Sequence, residues 1–480
     1  MAAHVTGSPP GPDGGGADRG LAHGLGARPL EPWFAPFALV NGAAVGLTPI
    51  LFPLAAARYG LGHVGLVMGA FNLGAFAAPV VGSLADRYHA YRVLVTACAA
   101  IAALSLGLFP LVGPSVEVLL ALGDGAGFAG AMTVANLLVV ERRPKAEWNR
   151  RLGWLETALT VGQGGALVLA AWLSGLSARD GLLIGAIVPA AAIPLALLIP
   201  RMPSVAVQGG ASAPGATARP PTAGRPQATT VGPPVASPSG RASHRLASLG
   251  QVGEWGPASP SRAHHLHQRR RPVTGLPALL GGGFGWMLAA WIPAYAGSAI
   301  VFSLYPVLFL HAFGVATNTS ALAFAVIVFA SLPLFVLAGR ISQRRGPATA
   351  IAGALTARVL LLTALAVLAA VGHVLAVLPL AAFAGIFFGW PFLSVASPGL
   401  TGQLKPNAEG DAQGLLNASS GLAGLLGSVT GGLAASAWGY PAALAIGAGA
   451  TTVGLTIFAA TLLRSSGREA TPDPAVAKRT

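Results

Sequence analysis

Apolar residues are concentrated in twelve long runs along this chain, and short polar breaks separate one run from the next. A helix needs about 20 residues to cross a hydrocarbon core of ~30 Å, and each run reaches that length. Runs so uniformly apolar are typical of membrane helices rather than of amphipathic helices in soluble proteins. The pattern therefore predicts an all-α membrane protein with twelve transmembrane helices. The runs lie at about 33–57, 62–83, 93–112, 116–140, 152–174, 181–200, 286–311, 319–339, 348–371, 374–398, 412–435 and 440–463.

A long polar segment divides the twelve runs into two groups of six. Residues 201–278 are rich in Pro, Ala, Gly, Ser and Arg and hold too few apolar residues to form a core, which predicts a disordered linker. The halves are then 32–200 and 279–463. The tails, 1–31 and 464–480, are polar, and the first of them has no apolar core of the kind that a cleaved signal peptide needs.

The composition agrees with a membrane protein and excludes a soluble enzyme. Apolar residues make up 54% of the chain and charged residues 9%, whereas about 25% of residues are charged in a typical soluble protein. The single cysteine, Cys98, excludes a disulfide framework and a thiolate zinc cluster. No Gly-Lys-Ser/Thr phosphate loop is present, so the chain has no ATP-binding motif of its own. We expect no cofactor and no metal.

The net charge of +14 reflects membrane topology rather than nucleic-acid binding. If the N-terminus is cytoplasmic, nearly all Lys and Arg lie in cytoplasmic loops and tails. Only Arg58 and Arg179 fall on the other side, and Arg358 falls within a run. This bias matches the positive-inside rule for a chain with both termini in the cytoplasm. The Ala-, Gly-, Pro- and Arg-rich composition suggests a bacterial genome rich in G and C, which predicts the plasma membrane (the bacterial inner membrane).

Two short segments of the first half recur at matching places in the second half. One pair follows the second and eighth runs, and the other follows the fourth and tenth runs. Two six-helix halves with matching loops indicate a duplicated transporter whose binding site lies between the halves. The pairs are Gly82-Ser-Leu-Ala-Asp86-Arg87 with Gly339-Arg-Ile-Ser-Gln343-Arg344, and Pro144-Lys-Ala-Glu147 with Pro406-Asn-Ala-Glu409.

The segment that begins at Gly82 resembles the loop signature of the major facilitator superfamily, Gly-x-Leu-Ala-Asp-Arg-x-Gly followed by basic residues. It matches at Gly82, Leu84, Asp86, Arg87 and Arg92, and it departs at His89, Ala90 and Tyr91. The second half keeps Gly339, Arg344 and Gly346 but has Gln343 in place of the acid.

The resemblance covers about residues 33–463 and implies the major facilitator fold, two pseudo-symmetric six-helix halves that rock around a central cavity. It also implies that the signature loop latches the cytoplasmic side in the outward-facing state. The gating residues would be Gly82, Asp86, Arg87, Arg92, Gly339 and Arg344, with Arg142 or Arg143 as a partner. The alternative is that these charges only set the topology.

Two signatures of drug exporters and antiporters in this family are altered here. The matching stretch of the fourth run, Leu119 to Gly127, has no arginine, and Ala166 and Leu167 replace a Gly-Pro pair in the fifth run. These departures leave proton-coupled export open.

Two acidic residues within the runs are candidates for coupling. Asp124 lies about eight residues into the fourth run, roughly 12 Å deep at ~1.5 Å per residue. It could hold a proton, a sodium ion or a cationic substrate, or it could be a structural, protonated Asp among glycines. Glu156 lies about five residues into the fifth run, where it could be a relay acid or the partner of Arg150 or Arg151.

The other candidates lie in the second half and on the helices that the resemblance places around the cavity. Arg358 lies near mid-depth in the ninth run, where it could contact substrate, pair within its half, or extend its head group to the interface. The cavity candidates could instead be packing residues, although aromatic rings there could stack against a lipophilic cation. They are Asn41, Trp291, Tyr295 and Trp390.

These features predict a secondary active transporter that works by alternating access as a monomer, and not an enzyme. We expect an ion gradient, with a proton as coupling ion, to drive export of a small, partly lipophilic compound across the lipid bilayer. Uptake of a sugar, an organic acid or another nutrient is the alternative. A membrane receptor or scaffold that does not transport is a further alternative.

Overall fold

The computed structural model describes residues 31–142, 148–200, 280–372, 374–405 and 409–463. Over these ranges the chain forms helices joined by short turns. The predicted linker 201–278, and the tails apart from residue 31, lie outside the described residues. The loop residues Arg143 and Pro144 also lie outside them, and so does Pro406.

Six helices form the first half of the fold. Helix α2 continues past the apolar span to Tyr88, and α4 continues to Arg142. The bounds of the six are α1 Pro32–Tyr59, α2 Leu61–Ala85, α3 Tyr91–Leu111, α4 Pro114–Val139, α5 Trp148–Leu173 and α6 Ala178–Leu198.

The second half repeats this order. A single helical stretch, Glu409–Phe458, closes it, but Gly439 has φ 84° and ψ 173° and divides the stretch into α11 (409–438) and α12 (440–463). The other helices are α7 Gly283–Phe313, α8 Thr317–Arg345, α9 Pro347–Val371 and α10 Val377–Leu404.

The predicted all-helical membrane fold is confirmed. Ten helical stretches of the described residues are long and apolar enough to cross a membrane. The number twelve is reached by dividing the last stretch at Gly439 and by counting α5, which is as long as its neighbours but carries Glu156 and Gln163. Each predicted run coincides with one of these helices.

The two ends of the bundle are distinguished below by one turn each. The Gly60 side is the end where α1 turns into α2, and the His89 side is the end where α2 turns into α3. Because successive helices alternate in direction, α7, α9 and α11 begin on the His89 side.

The halves meet along the Gly60 side. Helix α2 packs along α11, α5 along α8, and the segment Thr48–Ala56 of α1 against α7. One apolar core runs from the first half into the Gly60-side ends of all six helices of the second half, α7 to α12. A second apolar core, which is separate from it, occupies the His89-side part of the second half. The described helices therefore enclose one core that both halves share and one that belongs to the second half alone.

Close approach of α2 and α11 depends on glycine. A Cβ atom at Gly65 would lie 2.4 Å from the carbonyl oxygen of Ser428, and one at Gly432 would lie 2.7 Å from the Cα of Gly65. Neither position has room for a side chain. Small residues at such a crossing allow the two backbones to touch.

Candidate functional site

Asp124 lies in the middle of α4 with no solvent exposure. Its Oδ2 accepts a hydrogen bond of 2.7 Å from the hydroxyl of Thr48 on α1. Its Oδ1 accepts no hydrogen bond in the part of the chain that the structure describes. A buried carboxyl with one unused oxygen is unusual because buried polar atoms are normally satisfied. Asp124 is therefore a position where a proton or a cation could be held.

The backbone of α1 changes pitch directly before Thr48. Residues Ala43–Leu47 form a π-helical turn, and regular α-helix resumes at Thr48. Such turns occur mostly as single insertions in α-helices and are frequent at functional sites. The segment that follows, Thr48–Ala56, is the part of α1 that packs against α7 of the other half. The contact of Asp124 with Thr48 therefore reaches the boundary between the halves.

Of the remaining candidates in the first half, Asn41 joins α1 to α5. The Asn41 amide donates a hydrogen bond of 2.9 Å to the carbonyl oxygen of Leu159 on α5. Glu156 is nearly buried on the same helix. Arg151, which the sequence suggested as a partner of Glu156, forms an ion pair of 2.6 Å with Glu31. The side chain of Arg150, the other suggested partner, lies outside the described residues.

Arg358 lies inside the second half. It has no solvent exposure, and its Nη1 donates 2.7 Å to the hydroxyl of Ser298 on α7. Its Nε would lie 3.3 Å from a Cβ atom at Gly389 on α10. The guanidinium group is therefore held between α7, α9 and α10 and does not extend to the membrane interface. Its mid-helix position explains this, because the side chain is too short to reach either end.

Three aromatic residues predicted as cavity candidates form one group on α7 and α10, the helices that Arg358 contacts. The rings of Trp291 and Tyr295 are stacked at a centroid distance of 6.2 Å, and Tyr295 meets Trp390 edge-on at 6.2 Å. The indole N–H of Trp291 donates 2.8 Å to the hydroxyl of Ser420. The indole nitrogen of Trp390 is buried and has no hydrogen-bond partner within the described residues. The structure thus brings together Arg358 and three of the four cavity candidates.

The predicted gating residues lie at the His89 side. Gly82 packs against Thr133 of α4, and the Arg87 guanidinium lies 5.4 Å from the ring of Tyr88. Arg92 donates a hydrogen bond of 2.5 Å to the carbonyl oxygen of Ile199 at the end of α6. The side chain of Asp86 lies outside the described residues, and so does that of Arg142.

In the second half, Gly339 is buried and Arg344 is exposed in the last turn of α8. Ala75 and Phe76 of α2, on the Gly60 side of the signature, lie within 3.5 Å of a Cβ atom placed at Gly421 of α11. Whether the signature residues act as a gate stays a prediction.

Two buried polar residues make contacts that were not predicted from the sequence. Asn72 of α2 donates 3.3 Å to the hydroxyl of Ser428 on α11, which joins the two halves. Glu117 is fully buried, accepts a hydrogen bond from Arg58, and lies 2.8 Å from Nε2 of His63. Asn72 could have been noticed as a polar residue near the middle of the second run. Glu117 is near a run end, where acids are common.

The chain folds into two matching helical halves with buried polar groups near the middle of their helices, an architecture typical of membrane transporters. The sequence profile of the Major Facilitator Superfamily matches residues 34–404 and 294–480. The chain therefore belongs to the major facilitator superfamily. A comparison with curated protein sequences finds no match.

Solved structures of transporters share the fold. The nucleoside transporter NupG is 14% identical with a TM-score of 0.63, and the match covers 90% of this chain and 97% of that one. A bacterial homologue of the human lysosomal transporter Spinster, in an inward-facing and occupied conformation, is 13% identical with a TM-score of 0.60, covering 90% and 96%. The human organic anion transporter MFSD10 is 14% identical with a TM-score of 0.51, covering 89% and 98%. At these identities the likeness shows the fold alone.

Proposed function

We propose that this protein is a proton-coupled secondary transporter of the bacterial plasma membrane that exports a small, partly lipophilic solute. Asp124 carries the coupling proton. The observation that supports this most directly is the buried carboxyl of Asp124, with Thr48 on one oxygen and no hydrogen bond on the other within the described residues.

The position of Thr48 gives the proton a route to the conformational change. When Asp124 is ionised, its hydrogen bond from the Thr48 hydroxyl is strong, because a charged acceptor forms a stronger hydrogen bond than a neutral one. Protonation weakens this contact. Thr48 begins the segment Thr48–Ala56 that packs against α7, so a weaker contact alters the fit between the halves on the Gly60 side. In this way the protonation state of one carboxyl shifts the balance between two conformations.

The character of the solute follows from the surroundings of the buried polar groups. Trp291, Tyr295 and Trp390 supply large apolar surfaces between the helices of the second half. Such surfaces favour a solute with an apolar or aromatic body. The apolar body of such a solute partitions into the bilayer, and we propose that the proton gradient drives the solute outward.

Proton movement in proteoliposomes tests the role of Asp124. The purified full chain is reconstituted with a pH-sensitive dye inside the vesicles, and three probes of one ring system are added in turn. They are 1-naphthalenesulfonate, its neutral sulfonamide, and (1-naphthylmethyl)trimethylammonium. We expect at least one of them to drive proton movement in the wild type and not in Asp124→Asn. Asp180→Asn, the same change at an exposed position of α6, should behave as the wild type.

Two variants of Thr48 distinguish the effect of its hydroxyl group from the effect of its side-chain volume. Thr48→Ser keeps the hydroxyl and should retain proton movement, whereas Thr48→Val keeps the shape and should lose most of it. If none of the three probes moves protons through the wild type, or if Asp124→Asn is fully active, the proposed coupling is wrong. Accumulation of the active probe by energised inverted membrane vesicles supports export, and accumulation by intact cells alone indicates uptake.

A further inference from the structure

The centre of the second half contains a group of side chains that the proton-coupling step does not use. We name it the Trp390 site, and it consists of Trp291, Tyr295, Ser298, Arg358 and Trp390. Helices α7, α9 and α10 each contribute to it near mid-length. It is buried, aromatic on two helices and basic on the third.

Within this site, the indole N–H of Trp390 is a donor without an acceptor. Only 8% of the residue is exposed, and the described residues offer its nitrogen no hydrogen-bond partner. A buried tryptophan normally directs its N–H to an acceptor. Trp291, on the neighbouring helix, does so through the hydroxyl of Ser420. The contrast indicates that the acceptor for Trp390 belongs to another molecule.

Arg358 adds positive charge at the same height. Its Nε would lie 3.3 Å from a Cβ atom at Gly389, the residue directly before Trp390. Glycine at 389 therefore leaves the space that the Arg358 side chain occupies. A guanidinium group presents its donors in a planar fork that matches the oxygens of a carboxylate, sulfonate or phosphate.

The charge decides between two kinds of ligand. Aromatic faces alone could receive a lipophilic cation through their π-electrons. The buried guanidinium group of Arg358 contacts Ser298, one turn from Tyr295, and lies beside Gly389, next to Trp390. It repels a cation and attracts an anion. The indole N–H has the same preference, since it can only donate. The donors and the charge therefore favour an acceptor group that is negatively charged.

We propose that the Trp390 site binds the anionic group of an organic anion whose apolar or aromatic body lies against Tyr295 and Trp291. This proposal rests on the proposed transport function and names the substrate class for it. The anionic oxygens accept from Trp390 and Arg358.

Binding of the three naphthalene probes to the purified full chain tests the substrate class. The probes share one ring body and differ in charge, so calorimetric titration of the wild type compares head groups directly. We expect 1-naphthalenesulfonate to bind at least about tenfold more tightly than the sulfonamide or the trimethylammonium compound, since hydrogen bonds to charged groups are the stronger ones.

A substitution at Trp390 tests the role of its indole N–H. Trp390→Phe removes the N–H and keeps an aromatic ring, and it should weaken sulfonate binding by about tenfold or more. Trp286→Phe, at an exposed position of α7, is the matched control and should bind as the wild type. Arg358→Lys keeps the charge but loses the planar fork, and should also bind the sulfonate more weakly. Thermal unfolding of each variant shows whether it folds, and the probe preference of the wild type does not depend on any variant.

The outcomes separate this proposal from the proposed function. If the cation or the sulfonamide binds as tightly as the sulfonate, if the sulfonate does not bind, or if folded Trp390→Phe retains wild-type affinity, the substrate class is wrong. Proton movement that depends on Asp124 and is driven by another probe would then still support proton-coupled transport. If the sulfonate binds as expected but no probe moves protons, the site stands and the coupling fails.

Discussion

At the residue scale, His89 occupies a backbone conformation that ordinary side chains avoid. Its φ of 50° and ψ of 26° lie in the left-handed region, and it is the one non-glycine residue of the described chain with a positive φ. The signature that resembles this loop has glycine at this place. The turn has therefore kept the geometry that glycine provides, although the residue has changed.

This geometry predicts that His89→Gly stabilises the protein. A non-glycine residue in the left-handed region costs about 1–2 kcal/mol, part of which the greater freedom of glycine in the unfolded chain offsets. We expect the midpoint of thermal unfolding in detergent to rise by about 1–2 °C. Tyr88→Gly replaces the last helical residue of α2 and should lower the midpoint. If both variants lower the midpoint of thermal unfolding by the same amount, the backbone at His89 is not strained.

At the scale of elements, the pairing of α2 with α11 determines how the halves meet. Gly65 is in contact with the backbone of Ser428, whereas a Cβ atom at Gly62 would be 3.4 Å from a terminal methyl group of Leu433. The two glycines lie on the same helix, one turn apart, but only one of them lacks space for a side chain.

We expect Gly65→Ala to force the two helices apart and Gly62→Ala to be tolerated. Overpacking at a tight contact typically costs about 1–3 kcal/mol, and an ordinary van der Waals contact costs little. For Gly65→Ala, the midpoint of thermal unfolding and the rate of probe-driven proton movement should both be lower than in the wild type. For Gly62→Ala, both should stay near the wild-type values. A normal Gly65→Ala protein would mean that α2 and α11 do not touch this closely in the membrane.

The sequence predicts the elements better than the contacts between them. Each apolar run is a helix because lipid requires internally bonded backbone over that length. Uniformly apolar runs carry little information on how each helix is rotated about its axis. The hydrogen bond of Asn72 with Ser428, the inward direction of Arg358 and the π-helical turn before Thr48 are results of tertiary packing, and no local pattern specifies them.

At the scale of the whole molecule, the halves are joined on the Gly60 side, and alternating access requires that this side open. A cross-link between α2 and α11 should therefore stop transport. In a Cys98→Ser background, we expect Gly62→Cys with Leu433→Cys to form a cross-link that abolishes probe-driven proton movement and is reversed by reduction. Gly107→Cys with Ala186→Cys joins two helices of the same half and should not inhibit. Full activity of the cross-linked α2–α11 pair would contradict rocking of the halves.

The unequal division of the apolar core has a consequence for how the protein is made. Asn72 and Ser428 are 356 residues apart in the chain. The face of α2 that contains Gly65 and packs against α11 is therefore synthesised long before α11. The first half must wait in the lipid with this face exposed. The second half holds a core of its own and can pack locally as it is inserted. We therefore expect biogenesis to end when the second half, already packed locally, docks onto the first half.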